Sequence, residues 1–281
     1  MARFGVTIFP TDYSIQPVEL ARAVEERGFD SLLVTEHTHI PTSRKTPWPG
    51  GADLPRDYWH THDPFVALAA AAAVTERLRL GTGICLVVER DPIQLAKEVA
   101  SLDAISNGRF IFGIGAGWNR EEMENHGIDY DTRWKLVREK VLAMRAIWTQ
   151  DEAEFHGELV DFDPIWSWPK PVQPGGPPVW LGAQSRWSYG RAVEYCDGWM
   201  PIGLLGGLEQ GIARLREAAA QAGRPFDELD RAIFAAPPDP AACERHIALG
   251  YTDLLFSLPS APREQVLPLL DRYSELVRKL R

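Results

Sequence analysis

The chain has 281 residues, 45% of them hydrophobic and 25% charged, the balance of a soluble globular protein with enough apolar surface for a sizeable core. Its formal net charge is −9, and an acidic surface repels phosphate backbones and anionic lipid, which disfavours nucleic acid and membranes as partners. Three cysteines, Cys85, Cys196 and Cys243, form no C-x-x-C pair, which argues against a disulfide framework or a structural zinc. The N-terminus enters a strand pattern without the features of a signal peptide, and the longest apolar-rich run, 65–74, is too short to span a bilayer. A reduced, cytoplasmic protein is expected.

Short apolar runs alternate with helical patterns along the whole chain. Residues 3–9 read as a first strand, and 17–27 as a helix with Val18, Ala21 and Val24 on one face and Gly28 after its end. Residues 31–35 are a second strand. Asp63-Pro64 reads as an N-cap and first helical residue opening the Ala-rich helix 65–74. A third strand (78–84), a helix (92–105), a fourth strand (109–114) and a helix (133–148) follow. Residues 154–162 alternate around His156-Gly157 as a small hairpin, and the Pro-, Gly- and Trp-rich stretch 163–178 reads as an ordered loop. The alternation then resumes with strands at 179–182, 198–202, 231–235 and 253–258 and helices at 188–195, 208–222, 240–249 and 264–280.

Eight such units, with apolar strands and amphipathic helices, predict a single-domain (β/α)₈ TIM barrel over 1–281, with an insertion at roughly 150–178 between strands four and five. A doubly wound open sheet is the rival, but it rarely supplies eight units of such regular length. A barrel places its chemistry at the C-terminal strand ends. Strand two ends in Thr35-Glu36-His37-Thr38-His39, a carboxylate and two imidazoles at the mouth. His37 is suited to proton exchange near neutral pH or to holding a ligand, against the plainer reading of a satisfied loop imidazole. No further ligand cluster appears elsewhere, so a metal is not expected.

Strand three carries Gly81 and Gly83 around Thr82, followed by Ile84. Glycines inside a strand suit either close approach of a flat cofactor ring or a bulge. Gly113, Gly115 and Gly117 after strand four resemble a dinucleotide fingerprint only weakly, because the spacing is wrong and no clean helix follows. Gly182-Ala183-Gln184-Ser185 before a short helix suits either a phosphate cradle or an ordinary N-cap. Cys85 reads as a small buried hydrophobe rather than a nucleophile. Trp48, Trp59, Trp166, Trp168 and Trp187 either wall a pocket or pack the long loops down.

Taken in order, Thr35-Glu36-His37, Leu80-Gly81-Thr82-Gly83-Ile84, Asn107-Gly108-Arg109-Phe110, Gly115-Ala116-Gly117-Trp118-Asn119-Arg120-Glu121-Glu122, Phe155-His156-Gly157, Val179-Trp180-Leu181-Gly182 and Asp197-Gly198-Trp199 resemble the luciferase-like monooxygenase superfamily. The likeness is greatest to its branch of deazaflavin (coenzyme F420)-dependent oxidoreductases, and it runs from strand one to about strand six. The resemblance implies a tricyclic ring across the ends of strands two, three and four, held by His37, Thr82, Gly83, Ile84, Gly115, Ala116, Gly117 and Trp118. It also implies a phosphate on Gly182, Ala183, Gln184 and Ser185, and a non-prolyl cis peptide at Gly83-Ile84. Some deazaflavin-linked dehydrogenases carry a glutamate where this chain has Trp118, which leaves His37, with Glu36, as the proton handlers. Residues 41–62 are expected to cover the site, with Trp48, Tyr58 and His60 facing a small-molecule substrate.

The activity so implied is hydride transfer between F420 and a small organic substrate. A reduced-FMN monooxygenase and a catalytically silent flavin-binding barrel are the alternatives. The resemblance also implies a homodimer through the second and third helices.

Overall fold

Three of the helices begin as Asp-Pro, at Asp63-Pro64, Asp91-Pro92 and Asp239-Pro240. The Asp63 side chain accepts hydrogen bonds from the amides of Phe65 and Val66, and Asp91 does the same for Ile93 and Gln94. Proline follows at the first helical position, where its missing N–H has no partner to lose. Each cap contributes about 1 kcal/mol and fixes where its helix leaves the preceding loop.

The computed structural model describes residues 2–51 and 53–281. Its strands in chain order are β1 (Arg3–Ile8), β2 (Ser31–Val34), β3 (Arg79–Thr82), β4 (Cys85–Leu86), β5 (Phe110–Gly115), β6 (Ala153–His156), β7 (Asp161–Ile165), β8 (Val179–Leu181), β9 (Gly198–Trp199), β10 (Asp230–Phe234) and β11 (Asp253–Ser257). The helices are α1 (Pro17–Glu26), α2 (Pro64–Ala72), α3 (Pro92–Ile105), α4 (Arg120–Asn125), α5 (Arg133–Thr149), α6 (Ser188–Tyr195), α7 (Leu208–Gln221), α8 (Pro240–Leu249) and α9 (Arg263–Leu280). Parallel pairing runs β1–β2–β3–β5–β8–β9–β10–β11 and returns from β11 to β1, so eight strands close into a (β/α)₈ barrel. The insertion is the antiparallel hairpin β6–β7 with the loop that leads to β8. Among the described residues, no helix is long and apolar enough to cross a membrane.

Two elements differ from the sequence expectation. The third strand does not run unbroken: the Gly83–Ile84 peptide is cis, and beyond it β4 pairs with the top of β5, Cys85 opposite Ile114 and Leu86 opposite Gly115. After β5 the chain does form a helix, the six-residue α4, whose N-cap Asn119 accepts from the Glu122 amide. Under two turns of helix is too short to show a hydrophobic period.

The barrel interior is filled by Leu33, Ile111, Trp180, Met200, Ala232 and Leu255, with Ile84 and Phe234 packed on them toward the mouth. A larger apolar layer lies between the strands and the surrounding helices. In that layer the Ala-rich α2 buries Phe65, Ala67, Leu68, Ala71 and Ala72. The opposite end is closed by charge: Arg3 donates to Asp253 and to Asp230, each at 2.7 Å, and Trp180 Nε1 donates to Asp230.

The closeness of β3 and β5 rests on Gly113, where a Cβ would stand 2.0 Å from the Thr82 carbonyl oxygen. Gly113→Ala therefore lowers stability by about 1–3 kcal/mol or more, through overpacking against backbone. Gly190, in α6, has nothing within 4 Å of its Cβ position, and Gly190→Ala raises stability by about 1 kcal/mol through helix propensity. Urea unfolding of the two variants checks both signs.

Candidate active site

The strand ends open on a cavity of about 370 Å³, walled mostly by apolar groups. Its floor is the top of the barrel interior, where Ile84, Met200 and Phe234 reach the surface of the filled core. His37, just beyond the end of β2, and Trp118, between β5 and α4, line its sides. Tyr58 closes in from the 41–62 segment, with its ring centroid 5.1 Å from that of His37. Burial raises the Tyr58 phenol above its ordinary pKa, so it stays a neutral hydroxyl.

His37 does not stand alone. Its Nδ1 lies 2.8 Å and 3.0 Å from the two carboxylate oxygens of Glu122, in the first turn of α4. Both side chains are buried, with Glu122 only 1% exposed. A carboxylate only accepts, so the pairing sets the proton on Nδ1. Among the described residues, Nε2 has no hydrogen-bond partner and is the nitrogen left for chemistry.

Glu36 has a different place from the one expected of a proton handler. Its Oε2 accepts from the Leu86 amide at 2.6 Å, and its Oε1 accepts from Arg90 Nε at 2.7 Å and from Arg90 Nη2. Arg90 also reaches Asp63 and Glu98. Both oxygens of Glu36 are thus held by a permanent cation and a backbone N–H, so it positions β4 rather than moving protons.

Of the other expected ligand-binding residues, Gly83, Ile84, Ala116, Gly117, Gly182 and Ala183 line the cavity. Thr82 does not: it is fully buried, and its hydroxyl donates to the Gly113 carbonyl at 2.6 Å. Gly115 makes room for protein rather than for a ring, since a Cβ there would stand 2.0 Å from Ile84 Cδ1. Gly182 serves the same side chain, with a Cβ position 2.4 Å from Ile84 Cγ2. Gly117 has φ +75°, which a side chain would strain.

Gln184 is spent on the following loop, donating to Gly206 O and accepting from the Ile202 amide. Ser185 is spent in its own turn, its amide donating to Ser188 Oγ and its Oγ accepting from the Trp187 amide. His60 lies outside the cavity, with Nδ1 2.9 Å from Asp12. Trp48 reaches it only through Tyr58, and itself lines a neighbouring hollow of about 630 Å³ with Arg44 and Trp59. Cys85 is buried, and desolvation first, then Glu36, push its thiol well above the ordinary range, as suits an inert packing residue.

The sequence reading missed two carboxyls. Glu122 lay inside the quoted Gly115–Glu122 run, but only the Asn119 cap tells it from Glu121, which turns away to accept from Thr46 Oγ1 at 2.5 Å. Glu89 sits in the short helical turn Val87–Glu89, its side chain 1% exposed, and among the described residues neither oxygen has a hydrogen-bond partner. Burial first, then the charges of Glu122 and Glu36, raise its pKa from 4.5 to about 9, against the pull of Arg90 and Lys140. Lys140 is itself buried, donating to the carbonyls of Val88 and Arg90, and desolvation lowers its pKa to about 8.

Comparison with known proteins agrees with this architecture. The family model described as luciferase-like monooxygenase matches residues 14–255. The uncharacterized protein Rv0953c of Mycobacterium tuberculosis is 40% identical over 273 residues, 96% of this chain and 96% of that protein. The F420-dependent glucose-6-phosphate dehydrogenase of Gordonia bronchialis is 30% identical over 237 residues, 79% of this chain and 65% of its own length. Among solved structures, monooxygenase RslO1 from Streptomyces bottropensis superposes with a TM-score of 0.80 over 99% of both chains, at 21% identity, which speaks for the fold alone. With the family match running across most of a closed parallel barrel, the chain belongs to the luciferase-like monooxygenase family.

Proposed function

We propose that this protein transfers a hydride between coenzyme F420 and a small organic substrate, with His37 handling the proton that accompanies it. The observation that carries the reading is the buried His37–Glu122 pair beside an apolar cavity at the barrel mouth. The similarity to a Gordonia bronchialis enzyme named as F420-dependent favours the deazaflavin over FMN.

The residues present fit such a group. A cavity of about 370 Å³ is within the range of small-molecule sites, which run from about 300 to 1,000 Å³. Thr35 lines the cavity, and among the described residues its buried Oγ1 has no hydrogen-bond partner, so a polar edge of a bound molecule would meet an unmet hydroxyl. Ile84, Ala116 and Gly117 would lie against the ring, Gly182 and Ala183 along its flank. The Ser185 amide already donates to Ser188 Oγ and its Oγ already accepts from the Trp187 amide, so the expected phosphate cradle draws no support from that residue.

A bound deazaflavin supplies the two-electron hydride chemistry. The chain supplies orientation, dryness and one proton. Ile84, Met200, Phe234 and Trp118 keep water from the reacting face, which strengthens every polar contact made there. Glu122 holds the imidazole with Nδ1–H toward itself and stabilises the cation that forms when Nε2 takes a proton. His37 Nε2 then gives or takes that proton at the substrate atom adjoining the transferred hydride.

Anaerobic titration with F420 and with FMN, read by absorbance, tests the cofactor. F420 is expected to bind and to be reduced or oxidised by members of a panel of small alcohols and carbonyl compounds. Tight FMN binding with no F420 binding would replace this reading with a reduced-flavin monooxygenase. His37→Ala is expected to lower kcat by about 10²–10⁴-fold while leaving cofactor affinity nearly unchanged. Glu122→Gln is expected to lose a comparable factor, since a neutral amide holds the ring without stabilising its cation. Turnover untouched by His37→Ala, with cofactor still bound, would point to a binding barrel instead.

A further inference from the structure

Behind the cavity wall lies a carboxyl that the chemistry of His37 alone does not employ. A Cβ built on Gly117 would come within 4.0 Å of Glu89 Oε1, so little more than one glycine separates this group from the cavity. Among the described residues, neither Glu89 oxygen has a hydrogen-bond partner. On the other side His126 Nε2 stands 3.8 Å from Oε2. The same Nε2 is 2.9 Å from Thr38 Oγ1, which is 3.0 Å from His39 Nδ1. The His126 side chain is 29% exposed, so this string of polar atoms ends in water. A hollow of about 270 Å³, lined in part by Thr38, Glu89 and Arg90, flanks it.

The surroundings keep Glu89 neutral. Glu122 from α4 and Glu36 from the end of β2 oppose its ionisation. The two cations that favour ionisation are engaged elsewhere, Arg90 with Glu36, Asp63 and Glu98, and Lys140 with two carbonyls. Desolvation and His39 both lower the pKa of His126, so near neutral pH it is free to accept a proton.

Glu122 couples this group to the site. While His37 is neutral, the Glu122 charge holds the Glu89 proton on. Once His37 becomes a cation, that charge is cancelled and the proton is released more readily. We infer that Glu89 is a proton reserve for His37, giving its proton to solvent through His126 when His37 gains one at Nε2 and taking one back when His37 gives its proton up. The inference rests on the proposed role of His37. One proton enters at His37 and one leaves at His126, so the buried set of Glu36, His37, Glu89, Arg90, Glu122 and Lys140 keeps its net charge, and no electron moves. Glu89 touches no reacting atom and acts through its neighbours.

The free protein, with no cofactor, provides the first test. Infrared spectroscopy is expected to show the carbonyl stretch of one protonated carboxylic acid at neutral pH, lost above about pH 9 and absent from Glu89→Gln. Between pH 4.5 and about 9 the folded chain holds a proton that the unfolded chain has shed. Stability therefore falls as pH rises across that window, and Glu89→Gln flattens the fall. Deuterium exchange of the same band is expected to slow in His126→Ala.

In turnover, Glu89→Gln is expected to remove the alkaline limb of the kcat–pH profile with KM unchanged, Glu89→Asp to restore it, and added imidazole to rescue His126→Ala. Absence of the band, or its persistence in Glu89→Gln, overturns the reserve whichever cofactor binds. Band exchange indifferent to His126→Ala overturns the route to solvent. Failure of the F420 reading shows separately, as absence of deazaflavin binding, and leaves the infrared arms to decide Glu89.

Discussion

The hydrogen bond from His37 Nδ1 to Glu122 joins the end of β2 to the first turn of α4, and the mouth of the barrel is arranged around it. Two short loops separated by 85 residues must arrive within 3 Å of each other with both side chains removed from water. Such an arrangement persists only if each partner is fixed from behind. Asn119 caps α4 and so sets where Glu122 sits. Glu36 ties the other loop down, through Arg90 and the Leu86 amide, to β4 and the starts of α2 and α3. Because Arg90 is shared among three carboxylates, the network is one unit, and removing Arg90 would leave the buried Glu36 charge without its cation.

The same region places three carboxyls, Glu36, Glu89 and Glu122, where little water reaches. They do not behave alike, because their partners differ. Glu36 has a permanent cation, Glu122 has an imidazole at hydrogen-bond distance, and Glu89 has no hydrogen-bond partner among the described residues, with His126 standing 3.8 Å off. Burial without a hydrogen-bonding partner raises the pKa of Glu89, while Glu36 clamps Arg90 and Glu122 orients His37, so one residue type sits in three different settings within a single region.

Most of the barrel was legible in the sequence, because the signals that build it are local. Asp63-Pro64 and Asp91-Pro92 mark helix starts by bonds to amides two and three residues away. The helices Pro92–Ile105, Ser188–Tyr195 and Pro240–Leu249 fall on the expected residues. His37 could be read because it sits just past a strand end, where a barrel's chemistry lies, and the Gly83-Ile84 step was expected from the family resemblance. What stayed hidden depends on pairing across the ring. Nothing in Glu36 itself announces Arg90, 54 residues on, and nothing in Thr82 announces that its hydroxyl turns to Gly113 rather than to a ligand. Gly115 reads as space for a cofactor, whereas Gly113 and Gly115 are space for Thr82 and Ile84. Glycine tells a reader that something comes close, and leaves open what it is.

The Ile84 side chain lies in the notch left by the missing side chains of Gly115, at the end of β5, and Gly182, just past the end of the neighbouring β8. The depth of the cavity is thus set by a three-part joint rather than by one residue. A larger group at either glycine has to be matched by a smaller one at position 84, so these positions are free to drift only as a set. Descendants of this barrel that take bulkier or slimmer molecules would be reached by changing the joint as a whole, while the His37–Glu122 pair above it stays where it is.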